Sequence, residues 1–596
     1  MKKGVFQKLL PHLIAIAVFL IVAVLFCKPA LDGKVLQQHD IVGAKGMAQS
    51  AWDYREQHGH LPLWNTHIFS GMPNYQVAVE GPNILVNFTS ILTLGLPRPI
   101  SFFFLACLCF YILANAFRIN PYIGIFAALA FAYTTYDPVI ISAGHETKMM
   151  AIAYMPALLA GLIWLYHKKY WLGLAVTALF ATMEITANHP QINYYFFIIA
   201  ACLSIGYAII WIRRGEWKHM AIAFSLALLG ALIGIGNAAV TFFTTADYAK
   251  YTMRGGKGIE MDSTGKVVEK KTTGLDADYA LSYSFRKAEP VTLFMPNVFG
   301  ASSAESYAED EKLVEALVEK NVPEASATQL AAQLPKYWGG ISGPGEGTAG
   351  PVYIGALTCL LFVIGLGSLK THHRWWILAG VVIALLLSWG RYFEGFNLFL
   401  LDYLPMYNKF RAPSMSMVIP QLLVPLLAAL TLHQVLFTER TEEEKKRQAK
   451  YLLYSVGGLV LLTGLIYLLN DYHTDIDSQI IKAYGDDSGR PVVNALMEAR
   501  KAMFGAGIMR LMGFTVLLLG LLYLWKKRVL PALAVIIVLL LVNTVDLIAV
   551  GKKYLSEDNY VDAETYAGVN FQPTAVDQAI LKDPDPHFRV YALTGD

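Results

Sequence analysis

Runs of about 20 apolar residues recur along this chain, and nothing else in it constrains the fold as tightly. A bilayer core about 30 Å thick takes roughly 20 helical residues to cross, and inside lipid every backbone polar group must be bonded within the protein. Apolar segments fall at 9–27, 100–117, 121–138, 150–166, 170–187, 191–212, 220–245, 352–369, 375–390, 413–437, 451–470, 506–525 and 529–549. They predict an α-helical polytopic membrane protein with about 13 transmembrane helices. Only 16% of the 596 residues are charged, against about a quarter in a soluble domain. The net charge of +3 mixes 48 basic with 45 acidic residues. No basic stripe results, so nothing favours nucleic acid as a partner.

Cys27, Cys107, Cys109, Cys202 and Cys359 lie in or beside apolar runs, with no metal-ligand spacing and no disulfide framework. Lys2 and Lys3 precede an apolar run, Leu9 to Phe26, that is long for a signal peptide and lacks an A-x-A site. An uncleaved first helix with a cytoplasmic N-terminus is expected.

The connections alternate in character. Short basic ones carry Arg118; Lys168 and Lys169; Arg213, Arg214 and Lys218; Lys370 and Arg374; Lys445, Lys446 and Arg447; and Lys526, Lys527 and Arg528. All fall on one side, which the positive-inside rule makes cytoplasmic. The other side receives the long segments 28–99, 139–149, 246–351, 391–412, 471–505 and the tail. The C-terminus is therefore expected to be extracytoplasmic.

Within the long segments, 41–57 reads as a surface helix and 83–96 as an apolar stretch in the interface plane. Residues 305–335 read as helices of a small soluble subdomain, and 391–412 as re-entrant or juxtamembrane. Residues 1–550 form the expected transmembrane domain, with outer loops 28–99 and 246–351. Residues 551–596, with a helix-like 575–583 and a strand-like 589–593, read as the start of an extracytoplasmic soluble domain that looks truncated. The glycine-rich 339–351 lacks the Lys and the strand–helix context of a phosphate loop and reads as a flexible connection.

Polar residues collect at the helix ends assigned to the outside. They are His39 and Asp40 in QQHD; Asp137; His145, Glu146 and Lys148 in GHETK; Glu184; and Asn188, His189 and Gln191 in NHPQ. The cations Arg286, Lys287, Arg391, Lys409 and Arg411 follow in later loops. Packed end to end, they would build a cleft with an acidic and a basic wall where lipid meets water.

The order of features resembles the GT-C superfamily of membrane glycosyltransferases. More narrowly, GHLPLWNTHIFSGMPNY, GHETK, NHPQINYY, YWGG…GPVYIG and YNKFRAP look like the YfhO-type bacterial membrane protein family over nearly the whole chain. The resemblance implies a bacterial plasma (inner) membrane location and transfer of a sugar from a polyprenyl-phosphate donor to a cell-envelope glycan, lipid or protein on the outer face, among membrane lipids. Asp40 would be the general base, a role worth about 10²–10⁴-fold. Lys409 and Arg411, backed by Arg286 and Arg391, would hold the donor phosphate. His39, His145, Glu146, Lys148, Glu184, His189 and Gln191 would bind sugar or acceptor hydroxyls. QQHD has a single Asp where some relatives have D-x-D, so no cofactor is expected and no metal site is supported.

Each residue also has a plainer reading. Asp40 can cap the 41–57 helix, His145 and Lys148 can form a wet turn, Lys409 and Arg411 can snorkel to headgroups, and Asp53 suits an exposed helix face. Glu184 can be solvated at the boundary, although an ionisable group in a span is a functional candidate. The alternatives in function are a transporter or flippase of lipid-linked glycans, which would place charges at mid-membrane in repeated halves, and a non-catalytic envelope-assembly scaffold.

Overall fold

The computed structural model describes the chain except residues 1–2, 70, 79–87, 257–258, 262–263, 265, 270–272, 309, 320–321, 341–347, 349, 440, 586–587, 591–592 and 594–596. It is mostly helical. Among the described residues, eight helices are long and apolar enough to cross a membrane, and up to ten if each of two bent pairs is one span. Three shorter apolar helices, Ile100–Ala116, Tyr170–Thr186 and Ala356–Ser368, occupy further apolar segments.

Two of the long helices form the centre. In their most apolar stretches Glu146–Tyr166 and Pro413–Phe437 have 89% and 94% of residues buried, whereas Phe6–Phe26, Trp217–Asn237 and Glu442–Leu469 have 17–22%. An apolar helix that leaves most of its surface uncovered is suited to face lipid. Small residues set the spacing: a Cβ on Gly161 would lie 2.5 Å from Thr177 Oγ1, and one on Gly173 would lie 2.6 Å from Leu165 N. Only glycine lets the backbones of Glu146–Tyr166 and Tyr170–Thr186 approach so closely.

The bent pairs show how a broken helix is tolerated among apolar neighbours. Pro121–Ala132 and Tyr136–Ala143 meet at 43°. At the break, Thr135 N–H donates to Tyr353 O at 3.1 Å, Thr135 Oγ1 donates to Pro351 O at 2.6 Å, and Tyr353 N–H donates to Thr135 Oγ1 at 2.8 Å. The groups freed by the break are satisfied by a neighbouring segment. His373–Ser388 and Gly390–Tyr403 meet at 105°, where the buried Asn397 amide donates to Leu386 O, Gly390 O and Phe393 O, each at 3.2 Å. The turn comes just before the stretch expected to be re-entrant, 391–412, and the second helix of the pair occupies its first part.

Helices Glu311–Glu319 and Glu324–Gln333 fall where a small subdomain was expected. Leu313, Leu317, Ala327 and Ala331 pack on Ile480, Val492 and Leu496. Those partners belong to Asp475–Lys526, which corrects the isolated span expected at 506–525: helix extends back to Asp475, interrupted at Gly485 (φ 73°). A buried Arg500–Asp477 pair, at 2.5 and 2.9 Å, ties its start. The segment 220–245 is also two helices, Trp217–Asn237 and Ala239–Tyr248.

The surface helix expected at 41–57 spans His39–His58. Of the interfacial stretch 83–96, residues 83–87 lie outside the described residues, and the rest holds the short helix Thr89–Leu92; the glycine-rich 339–351 falls largely outside them. In the tail, Ala575–Ile580 is helical, and the strand expected at 589–593 lies partly outside the described residues. The tail returns to the first loop instead: Val35 and Leu36 pair with Val561 and Tyr560. A Cβ on Gly551 would meet Pro138 and Phe26 at 3.4 and 3.5 Å, so the last long helix, the first one and the broken pair end together.

Candidate functional site

At that same end the chain turns sharply between Ala143 and Glu146. A Cβ on Gly144 (φ 99°) would lie 3.1–3.2 Å from Ile41 and Asp40, so the start of His39–His58 rests directly on the turn. The buried Gln38 side chain holds it there, donating to Ile141 O at 2.5 Å. Gln38 is also the N-cap residue, without a side-chain cap bond. Asp40 therefore stands at the second helical position, which corrects its reading as the cap.

Its carboxylate goes elsewhere. Asp40 Oδ2 lies 2.7 Å from His145 Nε2, and His145 Nδ1 lies 3.0 Å from Lys148 Nζ. An ammonium only donates, so Nδ1 is the acceptor and the ring proton sits on Nε2, facing Asp40. Burial, then the Lys148 charge, pushes His145 down to about 4, with Asp40 acting in the opposite sense. At neutral pH the imidazole is uncharged and relays Lys148 to Asp40. Asp40 itself is half exposed, so the site is an open ledge rather than an enclosed cavity.

The opposite wall joins segments more than 200 positions apart in the chain. Gln191 donates to Arg411 O at 2.6 Å and to Tyr195 Oη at 3.1 Å. The Arg411 guanidinium lies over the rings of Tyr279 and Tyr283, at 5.1 and 5.8 Å, and donates to Tyr279 Oη at 2.7 Å. Its charge reaches both His145 and Lys148. His189, whose buried Nε2 lacks a protein partner, is pushed down to about 3 by burial and then by Lys148, His145 and Arg254. Lys148 thus acts on Asp40 directly, Arg411 lies beyond it near His145 and Lys148, and Arg254 adjoins His189 and Arg411. Such a set can take a proton and hold a phosphate side by side.

Other expected residues sit elsewhere. Lys409 donates to the carbonyls of Arg254 and Thr273, and Arg254 donates to Lys409 O, so Lys409 fastens two backbone segments instead of facing the ledge. Glu146 is paired with Arg98 at 2.5 Å, not open to a hydroxyl. His39 is exposed, and its side chain makes no hydrogen bond or ion pair with a described residue. Arg391 lies by Leu281 O and Ser284 Oγ. Arg286 donates from its side chain to His473 O at 2.9 Å and from its backbone to the fully buried Glu289, which burial pushes upward. Both arginines belong to the adjoining loop knot. Glu184 is buried, not solvated at the boundary, and neither carboxylate oxygen has a protein hydrogen bond; Asp137 accepts one, from Gln421 at 2.9 Å. Asp53 accepts from Gln49 on an exposed helix face, as its spacing suggests.

Arg254 and Tyr279 belong to the site but stand out in no sequence pattern. Each comes from a single short helical turn of the long loop, Met253–Gly255 and Ala277–Ala280, and only tertiary packing brings them to Arg411. Among the described residues no three His, Cys, Asp or Glu side chains are placed to hold a metal ion. No family model, curated protein or solved structure matches this chain.

Proposed function

We propose that this polytopic protein, with about 13 spans, is a GT-C-like glycosyltransferase akin to the YfhO-type family. It transfers a sugar from a polyprenyl-phosphate donor to an envelope acceptor on the outer face of a bacterial plasma membrane. The observation that carries the reading is Asp40 held by neutral His145 within reach of the Arg411 charge. The acceptor oxygen attacks the anomeric carbon and its proton passes to Asp40. The bond from that carbon to the phosphate oxygen breaks with inversion, and polyprenyl phosphate leaves with its charge spread over Arg411 and Arg254. General base and phosphate clamp thus occupy opposite sides of one reacting centre.

The test is Asp40→Asn in purified protein, assayed for release of polyprenyl phosphate from a panel of lipid-linked sugars. A drop of about 10²–10⁴-fold is expected; normal turnover would remove the base. The buried, partnerless Glu184 and the broken pair at 121–143 favour a second reading, export of a lipid-linked glycan. Movement of intact donor across proteoliposomes without sugar transfer would select it.

A further inference from the structure

A cavity of about 380 Å³ lies between residues 296–305 and one face of Asp475–Lys526. That face presents Met503, Ala506, Gly507 and Arg510, the spacing of a single helical stripe. Gly507 is what lets the loop approach, since a Cβ there would lie 2.3 Å from Val298. Arg510, Lys336 and Lys553 reach the cavity from three separate segments, against one acid, Glu305.

None of the three cations is fully used. Arg510 donates to Asp546, which also accepts from Tyr353 Oη at 2.5 Å, but its buried Nε has no protein partner. Lys336 sits 3.9 Å from Asp310, a loose pairing. Lys553 is exposed and has no ion pair with a described residue. Beside the cavity, Met509, Met512 and Val516 form an uncovered apolar stripe, 67%, 45% and 71% exposed. Such a stripe on a membrane-crossing helix meets acyl chains, while the cavity next to it offers cationic donors.

We infer that this cavity binds the phosphate of a lipid headgroup, with the acyl chains along Met509, Met512 and Val516. It is a second phosphate site, separate in its residues from Arg411 and Arg254. Arginine in a span is costly unless paired. Asp546 neutralises Arg510 within the protein, and the headgroup phosphate supplies the partner that Nε lacks. Lys336 and Lys553 close over the phosphate from the aqueous side. Charge-assisted bonds from Arg and Lys to phosphate oxygens are the strong ones a headgroup would accept here.

Native mass spectrometry of the purified full chain tests this, with phosphatidylglycerol, diacylglycerol or inorganic phosphate added separately. Phosphatidylglycerol should be retained and diacylglycerol should not. Ala506→Phe fills the cavity without changing charge and should abolish retention. Lys336→Gln with Lys553→Gln, two surface changes, should weaken it about tenfold or more and keeps the test open if Ala506→Phe fails to fold. Competition by inorganic phosphate would support phosphate recognition with a soluble source; retention that inorganic phosphate cannot displace would support the lipid. Equal retention in the native chain and the folded variants, or of diacylglycerol, would overturn the inference. Asp40→Asn should retain phosphatidylglycerol whatever it does to sugar transfer, so the two proposals fail separately.

Discussion

The two ends of the central helix Glu146–Tyr166 both gather histidines, about 30 Å apart along its axis. At its start, His145 lies between Asp40 and Lys148. At its finish, His167 Nε2 meets Tyr207 Oη at 2.9 Å, His219 Nδ1 meets Tyr170 Oη at 2.7 Å, and the His372 ring packs on Tyr207 at 5.0 Å. Burial and neighbouring cations push His167 and His372 down, as they push His145 down. A lowered histidine therefore does not mark a site by itself. At the first end the imidazole meets a half-exposed carboxylate at 2.7 Å with cations beyond it. At the other end His167 and His219 bond to phenols, as in a structural joint, while His372 packs on a ring and its Nε2 has no protein partner.

The largest expected separation between the ends is in rate. Arg411→Gln should lower kcat for sugar transfer by about 10²–10³-fold, the scale of removing one preorganised donor to a developing anion. His167→Gln at the far end should leave kcat unchanged. Equal losses in the two variants would mean that general packing, not the ledge, governs turnover.

Next comes pH. His145 is held down to about 4 from an ordinary value of 6.5. Between those limits the unfolded chain binds a proton that the folded one refuses, so stability rises with pH across the window and is lost as pH falls through it. Below about 4 the imidazolium can no longer accept from Lys148, and the relay to Asp40 opens. Thermal unfolding between pH 4 and pH 7 should show this slope in the native chain and a shallower one in His145→Gln. The same slope in both would place the titrating group elsewhere.

Why some of this is legible in sequence and some is not follows from what each feature depends on. Apolar length, the helical spacing of 41–57 and the Glu- and Lys-rich helices of 305–335 are local, so they can be read without knowing what they touch. The continuation from 506–525 back to Asp475 hides because Gly485 and Pro491 read as punctuation, yet helix resumes after the φ 73° residue. GHETK puts His145 and Lys148 three residues apart, near enough to meet, but the spacing does not show that Lys148 is buried where a wet turn is the plainer reading. The partners of Asp40, Lys409 and Glu146 are long-range choices. Asp40 loses the cap position by two residues because Gln38 is anchored to Ile141 O, and Lys409 turns to carbonyls from the long loop.

Lys409→Met tests that last distinction beside Arg411. An ammonium bonded to two backbone carbonyls should contribute on the order of 1 kcal/mol to stability. Sugar transfer should stay within about tenfold of native, less than one charged contact to a phosphate is worth. A loss as large as that of Arg411→Gln would return Lys409 to the phosphate wall.

The smallest effect belongs to Arg98 and Glu146. Their contact joins the turn before Ile100–Ala116 to the first turn of Glu146–Tyr166, and the Arg98 side chain is 69% exposed. Solvent screening holds such a pair to about 0–1 kcal/mol. Arg98→Gln should therefore barely move thermal unfolding, and the informative readout is KM for the acceptor. If Glu146 only fastens two helix starts, releasing it leaves KM where it was. If its carboxylate binds an acceptor hydroxyl whenever it is free, KM falls in Arg98→Gln and rises in Glu146→Gln. Opposite movements in the two variants would place Glu146 back on the ledge beside Asp40, while two unchanged values would confine it to the joint.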